Sequence, residues 1–318
     1  MNSDNARERQ SRSPPTVLCA GIAVEDLLFR VDRFPQAGTK VHAHAYAATI
    51  GGCAANASVA VANLGGRSRF AGPVGTDEAS QRFLAGLARV GVDASGCLLV
   101  PGGSISVSGI FIDREGEKMV ATRRGEKLAG TVPAAPDLLV HDISILLVDN
   151  RFPEFVEPIC KAARQRKIPV VLDADRATQL DDPLFALASH VIFSAEALYA
   201  TTGLAELPVA LRRAAQAFPD HARHVFLAVT NGPESVLWME GGEVQQLPVF
   251  KVDAVDTLGA GDAFHGAFAL AIAEGKPLVA AMRFGAATAG LKCTRFGGIS
   301  GTPSRCDVEG FLARHPVP

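Results

Sequence analysis

The chain has 318 residues, 48% of them apolar and 20% charged, which excludes disorder over most of its length and allows one large domain or two. Its 31 Lys and Arg against 33 Asp and Glu leave a formal charge of −2, so the basic surplus of a general nucleic-acid binder is missing. No uninterrupted apolar stretch approaches the ~20 residues of a membrane span.

Residues 1–15 read as a disordered tail: polar, Arg-rich, ending in Pro14-Pro15, and without the apolar run of a secretory signal. From Thr16 onward, strands are predicted at 16–24, 68–72, 143–149, 168–175, 190–194 and 224–230. Several are apolar at nearly every position, as in parallel strands buried on both faces. Helices predicted at 54–64, 78–90, 152–166 and 209–218 alternate with them. That alternation predicts a doubly wound α/β sheet flanked by helices, with right-handed crossovers. Two half-polar stretches, 27–46 and 104–122, break the rhythm, and the second has a turn signal at Arg114-Glu115-Gly116. We read them as one small sheet forming a lid, the alternative being an edge extension of the main sheet. The six cysteines form no CxxC pair and sit mostly in apolar runs, which points to free thiols and a reducing cytoplasm.

Asp256-Thr257-Leu258-Gly259-Ala260-Gly261-Asp262 runs into a small-residue helix ended by Gly275. A glycine turn that delivers a helix N-terminus is an anion site, because free N–H groups and the helix dipole both favour negative charge. An Asp there repels a phosphate unless it accepts a proton from the hydroxyl attacking that phosphate. The plainer alternative is that Asp262 caps its helix. A dinucleotide site fails on spacing, since a third glycine would fall where Phe264 stands.

DTLGAGDAF resembles the C-terminal signature of the ribokinase-like (PfkB) carbohydrate kinases, and Gly51-Gly52-Cys53-Ala54-Ala55-Asn56 followed by ASVAVANLGG resembles their N-terminal signature. The likeness spans about residues 16–315 and, within the family, is nearest in look to ketohexokinase and sulfofructose kinase. It implies ATP-dependent phosphorylation of a sugar hydroxyl, with ATP and Mg²⁺, on a ribokinase-like fold in one domain over 16–318. Asp262 matches the base, and Gly259, Ala260 and Gly261 match the anion hole. Asp26, Gly51, Gly52 and Asn56 match sugar-binding positions. Thr230, Asn231 and Gly232 match the nucleotide loop, with Asp173 and Asp175 near nucleotide and magnesium-water contacts. Asp256 and Leu258, together with Arg295 and Gly297 in the loop from Lys292 to Gly301, match a potassium site, although a lysine at 292 can supply that charge itself.

Lys40 and Arg151 resemble the sulfonate-binding pair of sulfofructose kinase, which implies an anionic sugar as the alternative to a ketose. A non-catalytic sugar- or nucleotide-binding regulator is the second alternative. The family's Asn-x-x-Glu motif is absent, because the matching segment reads Ser194-Ala195-Glu196-Ala197. His265, three residues after Asp262, shares its helix face and is assigned no catalytic role. The lid implies a homodimer, because small sheets leave strand edges unpaired.

Overall fold

The computed structural model describes residues 13–218 and 225–316, so most of the expected 1–15 tail lies outside the described residues. The chain opens with β1 (Thr16–Ala20), β2 (Val24–Arg30), β3 (Ala45–Gly51), α1 (Cys53–Asn63), β4 (Arg67–Ala71), β5 (Pro73–Val74), α2 (Glu78–Arg89) and β6 (Leu98–Leu99). It continues with β7 (Ser106–Ile112), β8 (Lys118–Arg123), α3 (Pro136–Leu139), β9 (Ile145–Asp149), α4 (Pro153–Gln165), β10 (Val170–Ala174), α5 (Pro183–Leu187) and β11 (His190–Ser194). It ends with α6 (Ala195–Thr202), α7 (Leu207–Ala217), β12 (Phe226–Thr230), β13 (Val236–Glu240), β14 (Glu243–Leu247), α8 (Ala260–Ala273), α9 (Leu278–Cys293) and α10 (Arg305–Arg314).

Eight strands form the main sheet in the order β14-β13-β12-β11-β10-β9-β1-β4. Pairing is parallel from β4 to β12 and antiparallel across β13 and β14. Alternate residues of β1 show why such strands read as unbroken apolar runs. Val17 and Cys19 enter one core beneath α1, α8 and α9, while Leu18 and Ala20 enter the other beneath α4 to α7. The β13–β14 hairpin escaped the sequence reading because its exposed positions are polar and its strands cover only the sheet edge.

The expected strand 16–24 divides. Its main-sheet part stops at Ala20, and the chain crosses at 21–23 into a second, four-stranded sheet ordered β3-β2-β7-β8. That sheet is the small one expected from 27–46 and 104–122, with its true bounds at β2, β3, β7 and β8 and an irregular loop over 31–44. Its own small core is Leu28, Ile110 and Ile112. The predicted turn at 114–116 closes the β7–β8 hairpin, with Asp113 and Glu117 bonded across it. Among the described residues no helix is long and apolar enough to cross a membrane.

Candidate active site

Parallel strands expose their carboxyl ends on one edge, and doubly wound sheets bind ligands there. β9, β10, β11 and β12 end in register at that edge: Asp149 pairs with Asp173 and Ser194 with Thr230. α1 and α8 bring the two glycine signatures to the same place. Their approach is unusually close at Gly266, where a Cβ would come within 2.5 Å of the Ala57 carbonyl oxygen. The contact sets Asn56 of α1 against Asp262 of α8, and Asn56 Nδ2 donates to Asp262 Oδ2 at 2.7 Å.

Asp262 is the third residue of α8, whose N-cap, Gly259, has φ +75°, a left-handed conformation suited to glycine. Burial pushes the Asp262 carboxyl up to about 7, against the Asn56 hydrogen bond that favours its ionised form, and the carboxylates of Asp175, Asp149 and Asp26 add to the rise. The three amides expected to form an anion hole differ in their partners. The N–H of Ala260 closes a turn onto Thr257 O at 3.3 Å, whereas those of Gly259 and Gly261 have no acceptor among the described residues. His265 is buried and held neutral, its pKa lowered to about 4 by burial. Its Nδ1 donates to Gly261 O at 2.8 Å and so braces the first turn of α8.

If Asp262 acts as a base, it works only when ionised, so kcat/KM should fall as pH drops through about 7. Replacing Asn56 by Leu removes the donor that favours the carboxylate. The acid limb of the pH–rate profile should then move to higher pH, and a limb that stays in place would uncouple Asn56 from the base.

The small sheet supplies Asp26, buried on β2 with its carboxyl raised to about 6 by burial and partly restrained by the Ser108 hydroxyl. Gly51 faces it from β3, and a Cβ on Gly51 would overlap the Asp26 carboxylate. Gly52, at φ +97°, caps α1 and lies against the Ile22 carbonyl oxygen. The cap position is therefore taken, and Asn56 is left with a buried Oδ1 that has no partner among the described residues. An oxygen of that kind accepts readily from a hydroxyl.

Other candidates fall less tidily. Thr230 ends β12, and Asn231 and Gly232 begin the turn into β13, with Asn231 O accepting from Glu234 N at 3.0 Å. Asp173 is buried on β10, its carboxyl raised first by burial and then by Asp175, Asp262 and Asp149. Arg151 forms an ion pair with Asp175. Lys40 is exposed in the 31–44 loop, with no hydrogen bond or ion pair among the described residues. Ser194 caps α6 by accepting from Ala197 N at 3.2 Å, and Glu196 is exposed, so this segment serves the helix end. At the expected potassium position, Asp256 has its carboxylate engaged: Oδ1 accepts from Leu258 N, and Oδ2 from Gly297 N and Gly298 N. Arg295 points away, to Asp307 at 3.3 Å.

One residue at the site was missed. Asp149, fully buried, accepts from the N–H groups of Ile22, Ala54 and Arg151 at 2.8, 3.1 and 3.0 Å. It joins the crossing between sheets, the start of α1 and the end of β9. Its signal was present as an acid closing the apolar run ILLVD.

The chain matches the pfkB family carbohydrate kinases over residues 15–305. It is 30% identical to a ribokinase of Bacillus subtilis, an alignment covering 91% of this chain and 96% of that protein. A crystal structure of an Agrobacterium tumefaciens protein provisionally called a ribokinase superposes with a TM-score of 0.90 at 36% identity, covering 95% and 98% of the two chains. An Arabidopsis thaliana ribokinase structure, complexed with ribose and ATP, gives a TM-score of 0.78 at 25% identity over 95% and 99%. The fold, both glycine signatures and these likenesses agree: this chain belongs to the pfkB family of carbohydrate kinases and is an ATP-dependent sugar phosphotransferase of ribokinase-like fold.

Proposed function

We propose that the enzyme phosphorylates a neutral sugar, with a pentose such as ribose or 2-deoxyribose ahead of a ketohexose. The observation that carries the reaction is the half-buried Asp262 at the start of α8, raised in pKa and oriented by Asn56. Asp26 and Asn56 Oδ1 hold sugar hydroxyls beside it. The attacking hydroxyl forms the new O–P bond and gives its proton to Asp262, while the bond from the γ-phosphorus to the β,γ-bridging oxygen breaks and ADP leaves with that electron pair. The amides of Gly259 and Gly261, at a helix N-terminus, take up the charge of the transferring group. Closure of the small sheet over the cleft excludes water and so limits ATP hydrolysis.

Magnesium fits the nucleotide side of the cleft. Asp173, Asp262 and Cys53 bring their ligand atoms within 4.8 Å of one another, and Asp175 adjoins them. The Cys53 thiol is pushed well above its ordinary value by burial, which leaves oxygen donors for a hard cation. Mg²⁺, held there by phosphate, water and Asp173, would neutralise phosphate charge. Thr230, Asn231 and Gly232 then line the nucleotide loop.

Two observations favour a neutral sugar over an anionic one. Arg151 is already ion-paired with Asp175, and Lys40 stands alone on an exposed loop. The expectation of a ketose gives way to a pentose on the relatives, several of which are named ribokinase or deoxyribokinase. The deciding measurement is kcat/KM for ribose, 2-deoxyribose, fructose and 6-deoxy-6-sulfofructose, in the wild type and in Lys40→Ala. A sulfosugar preference that collapses in Lys40→Ala would reverse the assignment. No turnover of any sugar in the panel would favour the regulator. The six free thiols suit the cytoplasm. A homodimer through the small sheet remains part of the proposal, because β8 is exposed throughout and presents Met119 and Val120 to solvent.

A further inference from the structure

A lysine with no exposed surface lies at the root of the glycine turn. Lys292 is in the last turn of α9, and its Nζ donates to the Asp256 carbonyl oxygen at 2.7 Å and stands 3.3 Å from Asp256 Oδ1. Through that carboxylate the ammonium is linked to Leu258 N at 2.9 Å, Gly297 N at 3.0 Å and Gly298 N at 2.8 Å. One ion pair thus ties together the segment entering Gly259, the end of α9 and the 297–298 turn.

Burying both charges is expensive, and an apolar pair of similar volume often gives equal stability. A cation in this place therefore has a use beyond stability. Asp256 O and Oδ1 converge on one point, as the oxygen ligands of a small monovalent cation do. The ammonium already fills that point, and Arg295 is turned to the surface. The residues present do not fit a potassium site.

We propose that Lys292 is a built-in cation: a positioning residue that holds the 256–261 turn in its anion-binding form and makes phosphoryl transfer independent of monovalent salt. The role in transfer rests on reading the Gly259 and Gly261 amides as the phosphate site. The ammonium acts through Asp256, three residues ahead of Gly259, whose carboxylate it neutralises and whose carbonyl it holds, so that its effect on the helix end is to fix the turn. Truncating the side chain opens a cation-sized space that keeps its oxygen ligands.

The test compares wild type, Lys292→Ala and Lys292→Met in tetramethylammonium, ammonium or potassium chloride at constant ionic strength. Turnover and thermal midpoint without substrate are both read. Wild-type turnover should differ by less than about 2-fold between salts. Lys292→Ala should lose about 10²-fold in kcat in tetramethylammonium, as for removal of one preorganised donor, and recover at least about 10-fold with potassium or ammonium. Its thermal midpoint should rise with the same two ions, because a ligand that binds only the folded state stabilises it. Lys292→Met, whose longer chain fills the space, should be rescued by neither.

A wild type that needs potassium overturns the proposal. So does Lys292→Ala running at wild-type rate without a small cation, or folded and inactive in every salt. If Lys292→Ala fails to fold in tetramethylammonium, refolding by potassium alone supports the proposal, and failure in both salts overturns it. Should wild type turn over no sugar, the phosphate-site reading falls separately. The thermal arm still decides whether potassium takes the place of the ammonium.

Discussion

Asp262→Asn is expected to lower kcat by about 10²–10⁴-fold while leaving ATP affinity little changed. The substitution keeps the shape of the side chain and leaves an oxygen to accept from Asn56 Nδ2, so the contact between α1 and α8 survives. The amides of Gly259 and Gly261, the proposed phosphate site, are untouched. What disappears is the proposed proton acceptance from the attacking hydroxyl. The acid limb near pH 7 should vanish along with the rate, because the group that titrates there is gone. Initial rates and nucleotide binding measured on the same preparation separate the two effects. Turnover within a few-fold of wild type would remove Asp262 from the chemistry.

The largest effect on stability is expected at Asp149. Its carboxylate satisfies three backbone donors from three elements that meet at the cleft, and none of it is exposed. Asp149→Ala leaves those N–H groups without an acceptor and opens a void beside Gly21. The expected loss is about 3–5 kcal/mol, read as a fall in denaturant midpoint. Asp149→Asn retains one carbonyl oxygen of the pair and should lose less. Equal losses in the two variants would mean that the lost carboxylate acceptor, rather than the void, sets the effect, because Asn fills the same volume.

These two aspartates also mark how far the sequence alone can be read. Asp262 stood out as a candidate because its setting is local: a glycine turn, a helix start and an acid lie within seven residues. The strands at the cleft were visible because burial on both faces leaves unbroken apolar runs, as in β9 and β11. Asp149 was hidden because two of its partners, Ile22 and Ala54, lie 127 and 95 residues away. The crossing at 21–23 was misread as strand because Ile22 and Ala23 continue the apolar run of β1, and only the tertiary fold turns the chain there. The match of 256–301 to a potassium site was equally local, and spacing could raise Lys292 only as an alternative source of charge. Its ammonium proved to reach back 36 residues to Asp256.

The close approach of Gly51 to Asp26 has an evolutionary consequence. A methyl group at 51 cannot enter while the acid at 26 is present. The aspartate therefore shields the glycine from drift, although the glycine does not shield the aspartate in return. Once the acid is replaced by something smaller, the vacated volume favours growth at the glycine, and restoring the acid then meets a steric block. Loss of that carboxylate in a descendant lineage would become progressively harder to reverse.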